Sequence, residues 1–168
     1  RRAIGADAPI SARYELEREA QSVVRDATLG VAREAAKVGV EVQIEDSRVD
    51  TCAVCNPVTV QQILTNLLLN AIQHTPAAGR VALAVRRQED AAIITVSNSG
   101  PPIPAAALRT LFERFVRVDH AGEGSGLGLA IARSIVLAHG GSITASSSGQ
   151  LTEFVITLPL AGQQAGNG

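Results

Sequence analysis

Val58-Thr59-Val60-Gln61-Gln62-Ile63-Leu64-Thr65-Asn66-Leu67-Leu68-Leu69-Asn70-Ala71-Ile72-Gln73-His74 carries two patterns at once. Val60, Ile63, Leu64, Leu67, Leu68 and Ala71 fall at helical spacing and make one apolar side. Gln62, Asn66, Asn70 and Gln73 or His74 recur every three or four residues, so they line another side of the same helix. Pro57 stands where proline suits a helix start, which predicts a helix from Pro57 to about His74. The polar stripe fits a solvated face or the wall of a cleft. Solvated faces usually carry lysine, glutamate and arginine, which also favour the helix. This stripe holds only amides and an imidazole, and asparagine inside a helix costs stability. That composition favours a cleft, where amides can bind a metal ion, phosphates and a base together.

Further along, Gly122-Glu123-Gly124-Ser125-Gly126-Leu127-Gly128-Leu129-Ala130 runs into the apolar pattern of Ile131 to Ala138. Glycines let a backbone approach a ligand closely. A helix start adds free N–H groups and the positive end of the dipole, so the segment suits phosphate. Taken alone, it serves equally well as a flexible turn.

Around these two segments the chain alternates. Ser11 to Val38 is helical, with Leu16, Ala20, Val23, Val24, Ala27, Val31, Ala35 and Val38 in phase. Thr28 to Gly30 weakens its middle enough to break it in two, and Gly39 ends it. Val40 to Ile44 reads as a strand, and Cys52 to Cys55 as a second, short one. Val81–Val85 and Ala92–Val96 predict a hairpin through Gln88-Glu89-Asp90. Ser97 to Pro104 reads as a loop and Ala105 to Val116 as a short helix. Ser142–Ala145 and Phe154–Leu158 make a closing hairpin through Gly149. Interleaved helices and strands place the fold in the α/β or α+β class.

At 168 residues with 46% apolar content, the chain is one globular domain with a buried core. A formal net charge of −1 and 2% aromatic residues argue against nucleic acid as a partner. No apolar run is long enough to span a bilayer, and no signal peptide is visible. The opening at Arg1 predicts a piece of a longer protein. Lys37 is the only lysine, so a cation touching phosphate here would be an arginine. Cys52 and Cys55 form a C-x-x-C, but zinc needs two further ligands. A spacing of three along a strand puts the thiols on opposite faces, so the pair reads as buried, reduced cysteines.

Four blocks in order resemble the catalytic ATP-binding domain of sensor histidine kinases, of the GHKL (Bergerat) type shared with gyrase, Hsp90 and MutL. Asn66-Leu67-Leu68-Leu69-Asn70-Ala71-Ile72 resembles the N box. Asn98-Ser99-Gly100-Pro101-Pro102-Ile103-Pro104 resembles the first glycine box. Leu111-Phe112-Glu113-Arg114-Phe115-Val116-Arg117-Val118-Asp119 resembles the F box. Gly124-Ser125-Gly126-Leu127-Gly128-Leu129-Ala130-Ile131 resembles the second glycine box. The resemblance implies a two-layer α/β (α+β) sandwich, with a mixed sheet and about three main helices on one face. Residues 15–160 would be the catalytic domain, 1–14 a lead-in or linker end, and 161–168 a disordered tail.

The resemblance also implies roles. Asn70 would bind Mg²⁺ through its side-chain oxygen, and Asn66 would contact phosphate or its bound water. Related ATPases carry a glutamate at the Asn66 position; an amide cannot serve as that base. Gln73 stands where many members have lysine near the phosphates, and His74 where many have tyrosine against the adenine. Asn98 replaces the usual aspartate that accepts from the adenine amino group, and Pro102 replaces a glycine. Gly100 and Ile103 would flank the base. Phe115 would line the site and Arg117 would reach the γ-phosphate, while Phe112 packs in the core. Ser125, Gly126, Leu127, Gly128 and Leu129 would cradle the triphosphate behind a lid at Val118 to Glu123. ATP and Mg²⁺ are the implied cofactors.

His74, His120 and His139 all lie outside the sequence context of a phosphoacceptor histidine. The implied reaction is therefore transfer of the γ-phosphoryl to a histidine on a separate dimerisation domain of the same protein. A response-regulator aspartate would take the phosphate next. The implied setting is cytoplasmic: a soluble domain of a membrane-bound sensor, itself without membrane contact. Three alternatives stay open: an anti-sigma-factor-type serine kinase, a GHKL ATPase (which Asn66 argues against), and a degenerate nucleotide-binding module without kinase activity.

Overall fold

The computed structural model describes residues 25–47, 57–89, 91–113 and 128–159. Helix α1 runs through residues 25–38 of these. It is followed by β1 (Glu41–Ser47), α2 (Pro57–Gln73), β2 (Arg80–Gln88) and β3 (Ala91–Ser99). Then come α3 (Ala105–Thr110), α4 (Gly128–Ala138), β4 (Ser142–Ser148) and β5 (Leu151–Pro159). The five strands form one mixed sheet in the order β1-β2-β3-β5-β4. Only β1 and β2 pair in parallel, and α2 makes the crossover between them. The other pairs are antiparallel. The long helices pack on one face, giving the two-layer sandwich that the sequence implied.

Strand alternation builds the sheet's core face. Val81, Leu83 and Val85 on β2 meet Asn98, Val96 and Ile94 on β3. These meet Thr152, Phe154 and Ile156 on β5, which face Ser147, Ala145 and Ile143 on β4. Two of the three rows that result are apolar; the third runs Val81, Asn98, Thr152, Ser147. From α2, Ile63, Leu64, Leu67 and Leu68 enter the core fully buried. Ala27, Val31 and Ala35 of α1 and Leu129, Ala132 and Val136 of α4 complete it. Phe112 packs edge-on to Phe154, with ring centroids 6.1 Å apart.

Several boundaries differ from expectation. Helix α1 continues unbroken through Thr28 to Gly30, because Ala27 and Val31 hold that stretch against the core. It ends at Gly39, whose φ is 72°. Ser97, Asn98 and Ser99, expected in a loop, extend β3, because they pair with Glu153, Thr152 and Leu151 of a strand far along the chain. Strand β1 runs on to Ser47 with a register shift between Ile44 and Asp46, carried by its parallel pairing to β2. Helix α3 stops at Thr110, where Glu113 N–H donates to Thr110 C=O (3.0 Å) and closes a tighter turn. Residues 114–116 of that predicted helix, the C-x-x-C, the lead-in, the tail and the lid lie outside the described residues.

Phe154 is fully buried at the centre of the sheet. Phe154→Ala should lower stability by about 3–5 kcal/mol. The check is a lower urea midpoint at an unchanged slope.

Candidate functional site

Thr75, Asn98 and Thr152 are the buried polar side chains among the described residues. All three line one cleft of about 330 Å³, together with Gln73, His74, Pro76, Pro101, Pro102 and Ile103. Burying a polar group is costly unless it is paired, so three at one spot mark a place built for polar contact. Among the described residues, no carboxylate lines the cleft.

Each wall has a local cause. Helix α2 ends at Gln73, which delivers Gln73 and His74 to the rim. Thr75 turns the chain: its hydroxyl donates to Ala71 C=O (2.6 Å) and satisfies one of the helix's last carbonyls. The loop after it is tied to the first helix's end, where Ala78 N–H donates to Gly39 C=O (2.8 Å). Across the cleft, Asn98 sits near the end of β3. Its Nδ2 donates to Ser99 C=O at 3.3 Å. Gly100 has φ 139°, a conformation L side chains rarely adopt. A Cβ there would also lie 2.9 Å from Pro76 Cδ. The two proline-containing loops can therefore approach each other only because residue 100 is glycine.

The segment after Gly100 is anchored from β4. Ile103 N–H donates to Ser147 Oγ (2.8 Å), and that oxygen also lies 2.8 Å from Thr152 Oγ1. Ile103 is buried and lines the cleft.

Asn70 and Asn66 lie one and two turns before the rim on α2, both half-buried. Gly128, the first residue of α4, faces Asn66: a Cβ at Gly128 would stand 4.0 Å from Asn66 Cβ. The start of α4 thus abuts Asn66 of the amide stripe. Leu129 points into the core. So Gln73, His74, Asn98 and Ile103 share one cleft with Gly100 at its edge, and Asn66, Asn70 and Gly128 form an adjoining cluster. Phe115, Arg117, Ser125, Gly126 and Leu127 lie outside the described residues.

Thr75, Pro76, Pro101 and Thr152 went unread as lining residues. For Thr152 a signal existed. The alternation of Phe154, Ile156 and Leu158, carried one step back, places Thr152 on the core face.

The family model described as histidine kinase-, DNA gyrase B-, and HSP90-like ATPase matches residues 55–162. The chain belongs to this ATPase family. Sensor histidine kinase CusS of Escherichia coli K12 is 42% identical to this ATPase-family chain over 115 residues, 66% of this chain and 24% of that protein. Among solved structures, the catalytic domain of histidine kinase ThkA superposes with TM-score 0.75 at 26% identity, covering 83% of this chain and 91% of that one. ThkA in complex with response regulator protein TrrA matches at TM-score 0.71 and 25% identity, covering 83% of this chain and 40% of that one. Full-length ShkA in complex with AMPPNP matches at TM-score 0.74 and 28% identity, covering 95% of this chain and 32% of that one. The chain thus spans about a quarter of the length of the curated relative. No helix among the described residues is long and apolar enough to cross a membrane.

Gly100→Ala should strain the backbone and push the ATPase-family domain's two rim loops apart, costing about 1–3 kcal/mol. Thermal unfolding of the purified variant measures it.

Proposed function

We propose that this domain binds Mg-ATP and passes its γ-phosphoryl group to a histidine on a separate dimerisation domain of the same sensor kinase, for relay to a response-regulator aspartate. The observation that carries the reading is the convergence of Asn98, Thr75 and Thr152 at the floor of a cleft continuous in sequence with the Asn66–Asn70 stripe. It draws support from the kinship with sensor histidine kinases, from the ShkA complex with a nucleotide, and from the ThkA complex with a response regulator. The setting that follows is a cytoplasmic domain of a membrane-bound sensor.

The residues present suit the ligand. The cleft has polar groups at its floor and Ile103 and prolines on its sides, a pattern that accepts a flat heterocycle. Asn98 would accept from the base, with His74 and Ile103 against its faces and Gly100 admitting it at the edge. Asn70 would hold the magnesium ion through its amide oxygen, a hard ligand of the kind magnesium takes, leaving water and phosphate for its other positions. Magnesium, when bound, would neutralise charge on the phosphate oxygens. Asn66 and Gln73 would orient phosphates by hydrogen bonds. Gly128 and Leu129 would offer backbone N–H groups at the start of α4. Phe115, Arg117, Ser125, Gly126 and Leu127 keep roles given by motif position alone.

Such a site works by positioning and electrostatics. In the transfer, the bond from the γ-phosphorus to the ADP oxygen breaks and one to an imidazole nitrogen forms. Asn66 has no carboxylate to take a proton from water, which favours transfer to a protein nucleophile over hydrolysis. Asn98, Pro102 and Gln73 all line the cleft and all depart from the usual pattern. They favour a second reading, a nucleotide-binding module that has lost transfer.

Asn70→Ala should weaken magnesium-dependent ATP binding by more than about tenfold, with little effect on a fold it does not core. Calorimetric titration with and without magnesium reads this; unchanged binding would remove Asn70 from the site. Mixing the domain with its own histidine-bearing domain and γ-labelled ATP should yield acid-labile phosphohistidine. ATP binding with no label on histidine would select the second reading.

A further inference from the structure

Ser147 lies on the edge strand β4 and is not among the residues that line the cleft. Yet its hydroxyl sits between two groups that do. Ile103 N–H donates to Ser147 Oγ at 2.8 Å, and Ser147 Oγ lies 2.8 Å from Thr152 Oγ1. A backbone N–H can only donate, so the first bond has one direction. The second has two. If Ser147 donates to Thr152, the bonds run head to tail, and each polarises the next. The Thr152 proton is then left to be donated into the cleft. If Thr152 donates to Ser147, two donors converge on one oxygen, and Thr152 offers the cleft only lone pairs. The cooperative, head-to-tail direction wins.

Asn98 is the register partner of Thr152 on the neighbouring strand. Its amide is oriented by a carbonyl: Ser99 C=O accepts at 3.3 Å, so the atom facing it is Nδ2. Oδ1 is therefore the group Asn98 offers a ligand. The floor presents an acceptor at Asn98 beside a donor at Thr152.

We infer that Ser147 is a positioning residue for base selection, fixing the Thr152 hydroxyl as a donor so that the Asn98–Thr152 pair matches a 6-aminopurine and opposes a 6-oxopurine. A 6-aminopurine offers an amine donor beside a ring-nitrogen acceptor. A 6-oxopurine offers an oxygen acceptor beside an N–H donor, the reverse at both atoms. The inference rests on the nucleotide-binding reading above. It also locates selectivity in a residue that touches no ligand.

The test measures dissociation constants for ATP and GTP, each with magnesium, on the wild-type chain, Ser147→Ala and Ser147→Thr. The wild type should prefer ATP. Ser147→Ala should cut the ATP-to-GTP preference by about fivefold to tenfold, the worth of one hydrogen bond, through weaker ATP binding with GTP unchanged or tighter. Ser147→Thr keeps the hydroxyl and suits a strand, so it should restore the preference. If Ser147→Ala weakens both nucleotides equally, Ser147 only anchors the loop and the inference is overturned. If Ser147→Ala does not fold, Ser147→Cys, nearly isosteric and a poor hydrogen-bonding group, must show the same fall in preference or the inference fails. A wild type that binds both nucleotides equally refutes the inference alone, whereas one that binds neither refutes the nucleotide-binding reading itself.

Discussion

A strand placed inside a sheet must satisfy its backbone on both sides at once. Strand β5 does so by pairing with β3 along its whole length and with β4 along most of it. That double pairing brings Phe154, Ile156 and Leu158 into the core, fully buried. It also aligns Asn98, Thr152 and Ser147 in one row. The two apolar rows beside it supply burial, and the polar row at their end floors the cleft. The site is thus the last register step of the core and no separate construction.

Helix α2 lives under the same constraint from the other layer. Its apolar side is spent on Ile63, Leu64, Leu67 and Leu68, whose burial pins the helix against the sheet. With rotation about its axis fixed in this way, Asn66 and Asn70 have little choice of direction. The packing of α2 on α4 then sets Gly128 against Asn66. Precision at the amide stripe comes from hydrophobic packing one side chain away. The same dependence holds at the rim, where Thr75 and Gly100 shape two loops through a hydroxyl-to-carbonyl bond and a positive φ.

Local pattern exposed much of this. The period of α2, the β2–β3 and β4–β5 hairpins and the helix beginning in the second glycine segment are all short-range signals. They were enough for the fold class and for Gln73 and His74, whereas Asn98 and Ile103 came from the motif resemblance. What stayed hidden depends on register between distant segments. Asn98 read as a loop residue because Ser97-Asn98-Ser99 has poor strand propensity by itself, and its partner Thr152 lies far along the chain. Ser147 sits in a run of serines that gives no hint that one of them meets Ile103. Three-dimensional pairing, and not composition, singles it out.

Among the described residues, strand β5 is both the last strand in chain order and one with neighbours on each side. As the chain is synthesised, β3 and β4 are therefore made before the strand that joins them exists. Until β5 arrives, the edge of β3 that pairs with it stays open, and the cleft lacks Thr152. The polar row that floors the cleft is complete only once Thr152 pairs with Asn98. Long-range pairing of this kind makes folding slow and leaves exposed strand edges open to mispairing. Completion of the cleft is thereby coupled to the docking of β5.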